Sequence, residues 1–184
     1  MSTHAEKLRA EDVLAFWREA GPDRWFAKDD AFDAEIREKF LGLYEAASVG
    51  QLDHWGATAE GALALVIVLD QFPRNMFRGS ARTFAADARA RAAANIALKR
   101  GYDQDLPEAD RGFLFLPFMH SEDLADQIRC VALYRAASHE NLKYAEEHRD
   151  IIRRFGRFPH RNAVLGRETT PEEQAFLESG GFKG

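Results

Sequence analysis

The 184-residue chain sets 25 Lys and Arg against 30 Asp and Glu, a net charge of −5, with 46% hydrophobic and 30% charged residues. This is the composition of a soluble globular protein of one domain (residues 1–184) long enough to bury a core, and its interspersed, net negative charge argues against a nucleic-acid surface. A single cysteine, Cys130, excludes an internal disulfide; no apolar signal core precedes Glu6 and no apolar run exceeds Ala62–Leu69, so the expected location is the cytoplasm, away from membrane.

Residues 1–8 are expected to be a flexible terminus. Ala10–Ala20 then reads as a helix with Val13, Leu14 and Trp17 on one face, stopped by Gly21-Pro22. Trp25 and Phe26 are expected to plug the next helix against the first. Asp29 or Asp30 caps a helix to about Ala47, in which Phe32, Ile36, Phe40, Leu43 and Tyr44 recur at amphipathic spacing. After a connector, Thr58 caps a helix from Ala59 to Phe72 that is apolar all round and should be the most buried.

Gln71-Phe72-Pro73-Arg74-Asn75-Met76-Phe77-Arg78-Gly79 follows and is expected to be loop, since proline disfavours the helical conformation in the residue before it. An alanine-rich helix begins at Ser80 or Thr83 and ends near Arg100, with Gly101 as its cap. Asp103–Leu106 reads as loop and Pro107–Leu116 as a short helix. Pro117–His120 reads as a break, and Ser121 as the cap of a helix to about Ala137 burying Leu124, Ile128 and Val131. The next helix runs to Phe155 with Tyr144, His148, Ile151 and Phe155 on one face. A second arginine-rich loop follows, Arg154 to Arg167, and Thr170-Pro171-Glu172-Glu173 is a capping box opening a last helix. No segment alternates with period two. The fold class is all-α, about seven to eight helices with antiparallel neighbours.

Four constellations can carry chemistry. Asp70 falls near the C-terminal end of the buried helix, where desolvation and the helix dipole oppose a carboxylate, so it needs a partner such as Arg74. His120-Ser121-Glu122-Asp123 is either a helix cap or a histidine and acids facing a cleft. His148 is either a hydrogen-bonded core histidine or part of a site with His120 and His160. No compact metal-ligand spacing is present, so neither a metal nor a cofactor is expected. The largest set is Arg74, Asn75, Arg78, Arg157, Arg161, Asn162 and Arg167. If the two loops meet, they form an anion-binding concavity; otherwise each arginine pairs with Asp70, Asp87, Glu122, Asp123, Asp126 or Glu168. Cys130 reads as a buried, inert thiol. No nucleophile elbow, P-loop or dinucleotide fingerprint occurs.

Three motifs occur in order: Leu69–Asn75, Phe118–Asp123 and Arg154–Asn162. They resemble the bacterial family called domain of unknown function 924, and the likeness spans Val13 to the Thr170–Glu173 cap. The resemblance implies a tetratricopeptide-repeat-like array of paired antiparallel helices, although no period of roughly 34 residues is present. The family supplies no established activity and no catalytic residues to carry over.

Two functions are therefore expected to compete. In the first, the motifs converge on a cleft where Asp70, Arg74, Asn75, Arg78, Asp123, His148, Arg157, Arg161, Asn162 and Arg167 hold an anionic small molecule, and His120, Glu122 and His160 handle protons in acid/base or hydrolytic chemistry. In the second, the chain is a scaffold for a peptide or protein partner and the polar motifs are ion-pair locks. Exposed aromatics near Trp17, Trp25 and Phe26 would suit a homodimer; the same residues buried would suit a monomer.

Overall fold

The computed structural model describes residues 8–184, and all but the last residue of the flexible terminus expected at 1–8 lies outside them. Every regular element among the described residues is helical, in agreement with the expected class. The chain falls into two compact units, one made of residues up to Arg78 with Arg82–Pro117, the other of Gly79–Ala81 with Phe118–Gly184.

The first unit holds α1 (Ala10–Ala20), α2 (Pro22–Trp25), α3 (Asp30–Ser48), α4 (Ala59–Val66), α5 (Phe72–Met76), α6 (Asp87–Lys99), α7 (Tyr102–Asp105) and most of α8 (Glu108–Met119). Asp29 caps α3 by accepting from the N–H groups of Ala31 and Phe32, and Thr58 caps α4 through Gly61. The amphipathic row of α3 is buried as its spacing requires. Trp17 lies at the centre of an aromatic core, stacked on Trp25 and edge-on to Phe72 and Phe113. Such pairs add about 0.5–1.5 kcal/mol each beyond their buried area. Trp25 also donates its indole N–H to the Trp17 carbonyl at 2.6 Å, fixing α2 on α1. Trp25 thus plugs the connection as expected, but Phe26 does not: it is 63% exposed.

The stretch after α4 is not loop. Ile67–Gln71 form one wide π turn, in which the Phe72 N–H reaches back five residues to the Ile67 carbonyl, and Phe72 keeps helical dihedrals (φ −57°, ψ −40°). Pro73 lacks an N–H, and its ring would crowd the carbonyl of Leu69 in a regular helix. Widening the turn gives that carbonyl room, so the proline that was expected to end the helix is accommodated within it. Other boundaries shift as well. Ala81–Phe84 is a 3₁₀ turn and α6 begins only at Asp87, while Tyr102–Asp105 is a short helix rather than loop. Pro117 lies inside α8, where it removes one hydrogen bond close to the C-terminal end and the last turn continues to Met119.

The second unit contains α9 (Leu124–Ala136), α10 (Leu142–Phe155) and α11 (Pro171–Glu178). Ile151, Ile152 and Phe158 form its apolar core, with Phe155, Phe176 and Phe182 packed around them. Asp123, not Ser121, caps α9 through the Ala125 N–H; Ser121 accepts from the Asp123 N–H one step earlier and donates to Asp126. The buried stripe of α9 is Gln127, Cys130, Val131 and Tyr134, leaving Leu124 38% and Ile128 52% exposed, contrary to expectation. Gln127 is drawn inward because its amide donates to the carbonyls of Phe118, Met119 and Ser121, at and just beyond the end of α8. Tyr144 is likewise exposed, while His148 and Ile151 on the same helix are buried.

Candidate functional site

The first motif makes its contacts inside the first unit. Asp70 is fully buried on the π turn; its carboxylate accepts from the Gln71 amide at 2.6 Å and lies 3.4 Å from Arg74 Nη1. Arg74 donates to the Asp70 carbonyl (2.7 Å) and clamps Asp87 at the start of α6 with both Nη atoms, at 2.9 and 3.1 Å. Burial alone would weaken the guanidinium's hold on its proton, but the two carboxylates more than offset it. One turn on, Asn75 and Arg78 both converge on Asp33 of α3: Arg78 binds it bidentately at 2.8 and 3.0 Å, and Asn75 at 2.8 Å.

The second and third motifs meet inside the second unit. Glu122 receives Arg167 Nη1 and Nη2 at 2.7 and 2.9 Å and the Phe158 N–H at 2.8 Å. Burial works to raise the Glu122 carboxyl, yet Arg167 and that N–H prevail and hold it below the ordinary carboxylate range. Arg161, itself buried, donates to the His120 carbonyl at 2.8 Å and lies 4.7 Å over the Phe158 ring. Glu173 is the hub of the loop. It binds Arg157 bidentately (2.7 and 2.9 Å), accepts from the buried Asn162 amide (3.1 Å), and closes the capping box by accepting from the Thr170 N–H. Asn162 in turn accepts from Arg167 Nε at 2.9 Å. Arg157 first, with Thr170 and Asn162, holds the Glu173 carboxyl down at about 2. Asp123 is committed to its cap.

The histidines occupy a different setting. His148 Nδ1 lies 2.7 Å from the Tyr144 carbonyl, and the rings of His148 and His160 both stand edge-on to Phe182, at 4.5 and 5.1 Å. His160 Nδ1 is buried without a hydrogen-bond partner. Burial first, then the charge of Arg161 and the neighbouring His148, lower His160 to about 4, so it is neutral at pH 7. Its unfolded-state value is 6.5. Between these values the unfolded chain binds more protons, so stability is full above pH 6.5 and falls as pH drops toward 4. Glu173 adds loss of the same sign at lower pH, from its ordinary 4.5 toward 2. Thermal melts from pH 7 to 4 are therefore expected to fall by several degrees, His160 accounting for on the order of 3 kcal/mol. His160→Phe should flatten the part of the profile between pH 6.5 and 4.5; an unchanged slope would assign the acid sensitivity elsewhere. Burial pushes the Cys130 thiol up, so it stays protonated, and no group of three or more His, Cys, Asp or Glu among the described residues could hold a metal ion.

Two hollows accompany these networks. An open one of about 590 Å³ in the second unit is lined by Arg157, Arg167 and residues 168–171. The other, about 480 Å³, lies in the first unit between α4, α6 and the 3₁₀ turn Asp53–Ala57. Leu65, Leu69, Ala93, Ile96 and Ala97 contribute its apolar wall, and Arg89, Arg100 and His54 its basic groups. Gly61 brings the turn against α4, for a Cβ there would strike the Trp55 carbonyl. Sequence reasoning missed this groove; the one signal for it was the recurrence of Arg89, Ala93, Ile96 and Arg100 along one face of α6.

The family model described as "Bacterial protein of unknown function (DUF924)" matches residues 13–181. Among solved structures, the chain is similar to a protein of unknown function from Agrobacterium tumefaciens, ATU0120, with 51% identity and a TM-score of 0.91 over 93% of this chain and 97% of that one. No curated protein matches.

Proposed function

We propose, from the premise that the chain belongs to the DUF924 family of bacterial proteins of unknown function, that it acts as a helical interaction module whose arginine motifs are ion-pair locks. One observation carries this reading: Arg74, Arg78, Arg157 and Arg167 each face a carboxylate of their own unit, Asp87, Asp33, Glu173 and Glu122. An arginine fork already filled by a carboxylate has little left to offer an anionic ligand. Glu122, the candidate proton carrier of the second motif, is equally committed to Arg167 and the Phe158 N–H. Segments tied to neighbouring helices by such pairs keep the surfaces around them rigid, which suits binding by shape.

A second reading draws on the hollow beside Arg157 and Arg167, which places two motif arginines at a concave surface. There an anionic small molecule would displace Glu173 or Glu122, with His160 close by in the chain, and His120 joined to the same loop by Arg161, for acid/base or hydrolytic chemistry. Thermal melts of wild type and Arg157→Ala/Arg161→Ala against anionic metabolites and divalent metals separate the two. The interaction reading expects no ligand-dependent shift and a strongly destabilised double variant. A ligand at a hundred times its Kd would add about 2.7 kcal/mol, or roughly 5–10 °C for a chain of this size. Such a shift, lost in a double variant that still folds, would overturn it.

A further inference from the structure

We infer that the groove between α4, α6 and the Asp53–Ala57 turn is a docking site for a partner helix that carries an acidic residue at each end of a short apolar stripe. The inference rests on the interaction reading and supplies its site and the chemistry of its partner.

Helix α6 supplies one wall through Arg89, Ala93, Ile96 and Arg100, spaced i, i+4, i+7 and i+11, hence on one face. The Cα atoms of the two arginines are thus about 16 Å apart along the axis. Between them the surface is apolar and low: the alanines let another backbone approach closely, and Ile96 is 48% exposed. From the other side, α4 contributes Leu65 and Leu69 at the groove floor. A third helix laid into this furrow would continue the side-by-side packing of α4 and α6 already present.

Charge selects the partner. The chain has a net charge of −5, yet the groove's ends are basic. Arg100 is held by the Gly56 carbonyl (2.6 Å) and the Tyr102 ring, not by a carboxylate. Arg89 pairs with the exposed Asp53 at 2.6 Å, but its Nε–H is buried with no acceptor. Two arginines face one aspartate there, so Asp53 does not neutralise the rim. In this respect Arg100 differs from Arg74, Arg78, Arg157 and Arg167, each of which meets an internal carboxylate. A carboxylate arriving at Arg100 would meet a guanidinium that a carbonyl and a ring hold, and one at Arg89 would share its guanidinium with Asp53. A matching helix carries acids at i and i+11 and leucines at i+4 and i+7. A site this small fits a weak, transient complex.

The test is fluorescence anisotropy with a labelled alanine-based peptide, bridged on its far face to stay helical, bearing Glu at i and i+11 and Leu at i+4 and i+7. A control of identical composition carries its two Glu residues on the opposite face. The expected result is saturable, salt-sensitive binding of the first peptide and much weaker binding of the control. Ile96→Glu and Arg100→Gln, both at exposed positions, should each weaken it about tenfold with unchanged melting temperatures. Equal binding of both peptides overturns the inference. So does binding of an unbranched long-chain dicarboxylate, abolished by Ile96→Glu, with none of the peptide; the groove would then be a small-molecule site. Affinity that neither variant changes removes the docking site from this groove while leaving the interaction reading standing. That reading falls separately, if an anion stabilises the chain through Arg157 and Arg161.

Discussion

Arg74→Ala is expected to lower the unfolding free energy by on the order of 5 kcal/mol, the largest effect of any single substitution in the arginine motifs. The substitution takes the shared guanidinium from two carboxylates: Asp70, which has no exposed surface, and Asp87, whose side chain is 11% exposed. Removing one partner of a buried pair typically costs about 3–5 kcal/mol, because the remaining charge can neither return to water nor find another partner. Here one guanidinium serves two acids and the Asp70 carbonyl as well. For a chain with roughly 10–15 kcal/mol in hand, such a loss is a large fraction of the total. Urea unfolding should show a midpoint shifted strongly downward at nearly constant slope. Arg74→Lys should fall between, since an ammonium cannot reproduce the two-pronged contact with Asp87. A loss below about 1 kcal/mol for the alanine variant would mean that water reaches Asp70 and that the lock resembles an ordinary surface pair.

Glu173→Ala is the second large effect, and it should be local. The carboxylate joins Arg157, Asn162 and the Thr170 N–H, so its removal takes the paired carboxylate from Arg157, leaving it the Glu168 carbonyl, reduces the buried Asn162 amide to a long contact with Thr169, and opens the capping box of α11. Opening the cap alone costs about 1 kcal/mol, and loss of the ion pair with Arg157 adds to it. Amide hydrogen exchange should report faster opening of residues 157–178, with α3 and α4 keeping their protection. Glu173→Gln preserves shape and one acceptor and should recover part of the loss. Uniform loss of protection along the chain would show instead that Glu173 reports global unfolding rather than fastening one loop.

How much of this was legible beforehand follows the range of each interaction. Most caps were readable, since donor and acceptor lie within four residues: Asp29, Thr58 and the Thr170–Glu173 box stand where their side chains predict, whereas α9 is capped by Asp123 and not by Ser121. Asp70 could be seen to need a cation because its place on an apolar helix made it buried, and Arg74 was the cation within reach. Asp33 and Glu173 could not be foreseen as partners of Arg78 and Arg157. Each already had a local explanation, in a helix's first turn, that concealed its long-range role. In α9 the apolar pattern pointed Ile128 inward, and it failed because three carbonyls at and just beyond the end of α8 outweigh one isoleucine; a buried unpaired acceptor costs about 1–3 kcal/mol. The groove along α6 was hardest to see, since alanines give no period and the arginines at its ends looked like ordinary solvated charges.

The wide turn at Ile67–Gln71 amounts to a surplus residue wound into an otherwise continuous helix from Ala59 to Met76. One residue of an α-helix is about 100° of rotation, and the wide turn takes up the surplus residue with almost no net rotation of its flanks. Upstream of it Leu65 points to the alanine groove; downstream, Arg74 points to Asp87 and Asn75 to Asp33. A single-residue deletion there would leave a regular helix whose two flanks keep nearly their present bearing, but it would press a carbonyl back against the Pro73 ring. The wide turn therefore serves the proline, and the bearing between the groove and the locks is set by the regular helix on either side of it.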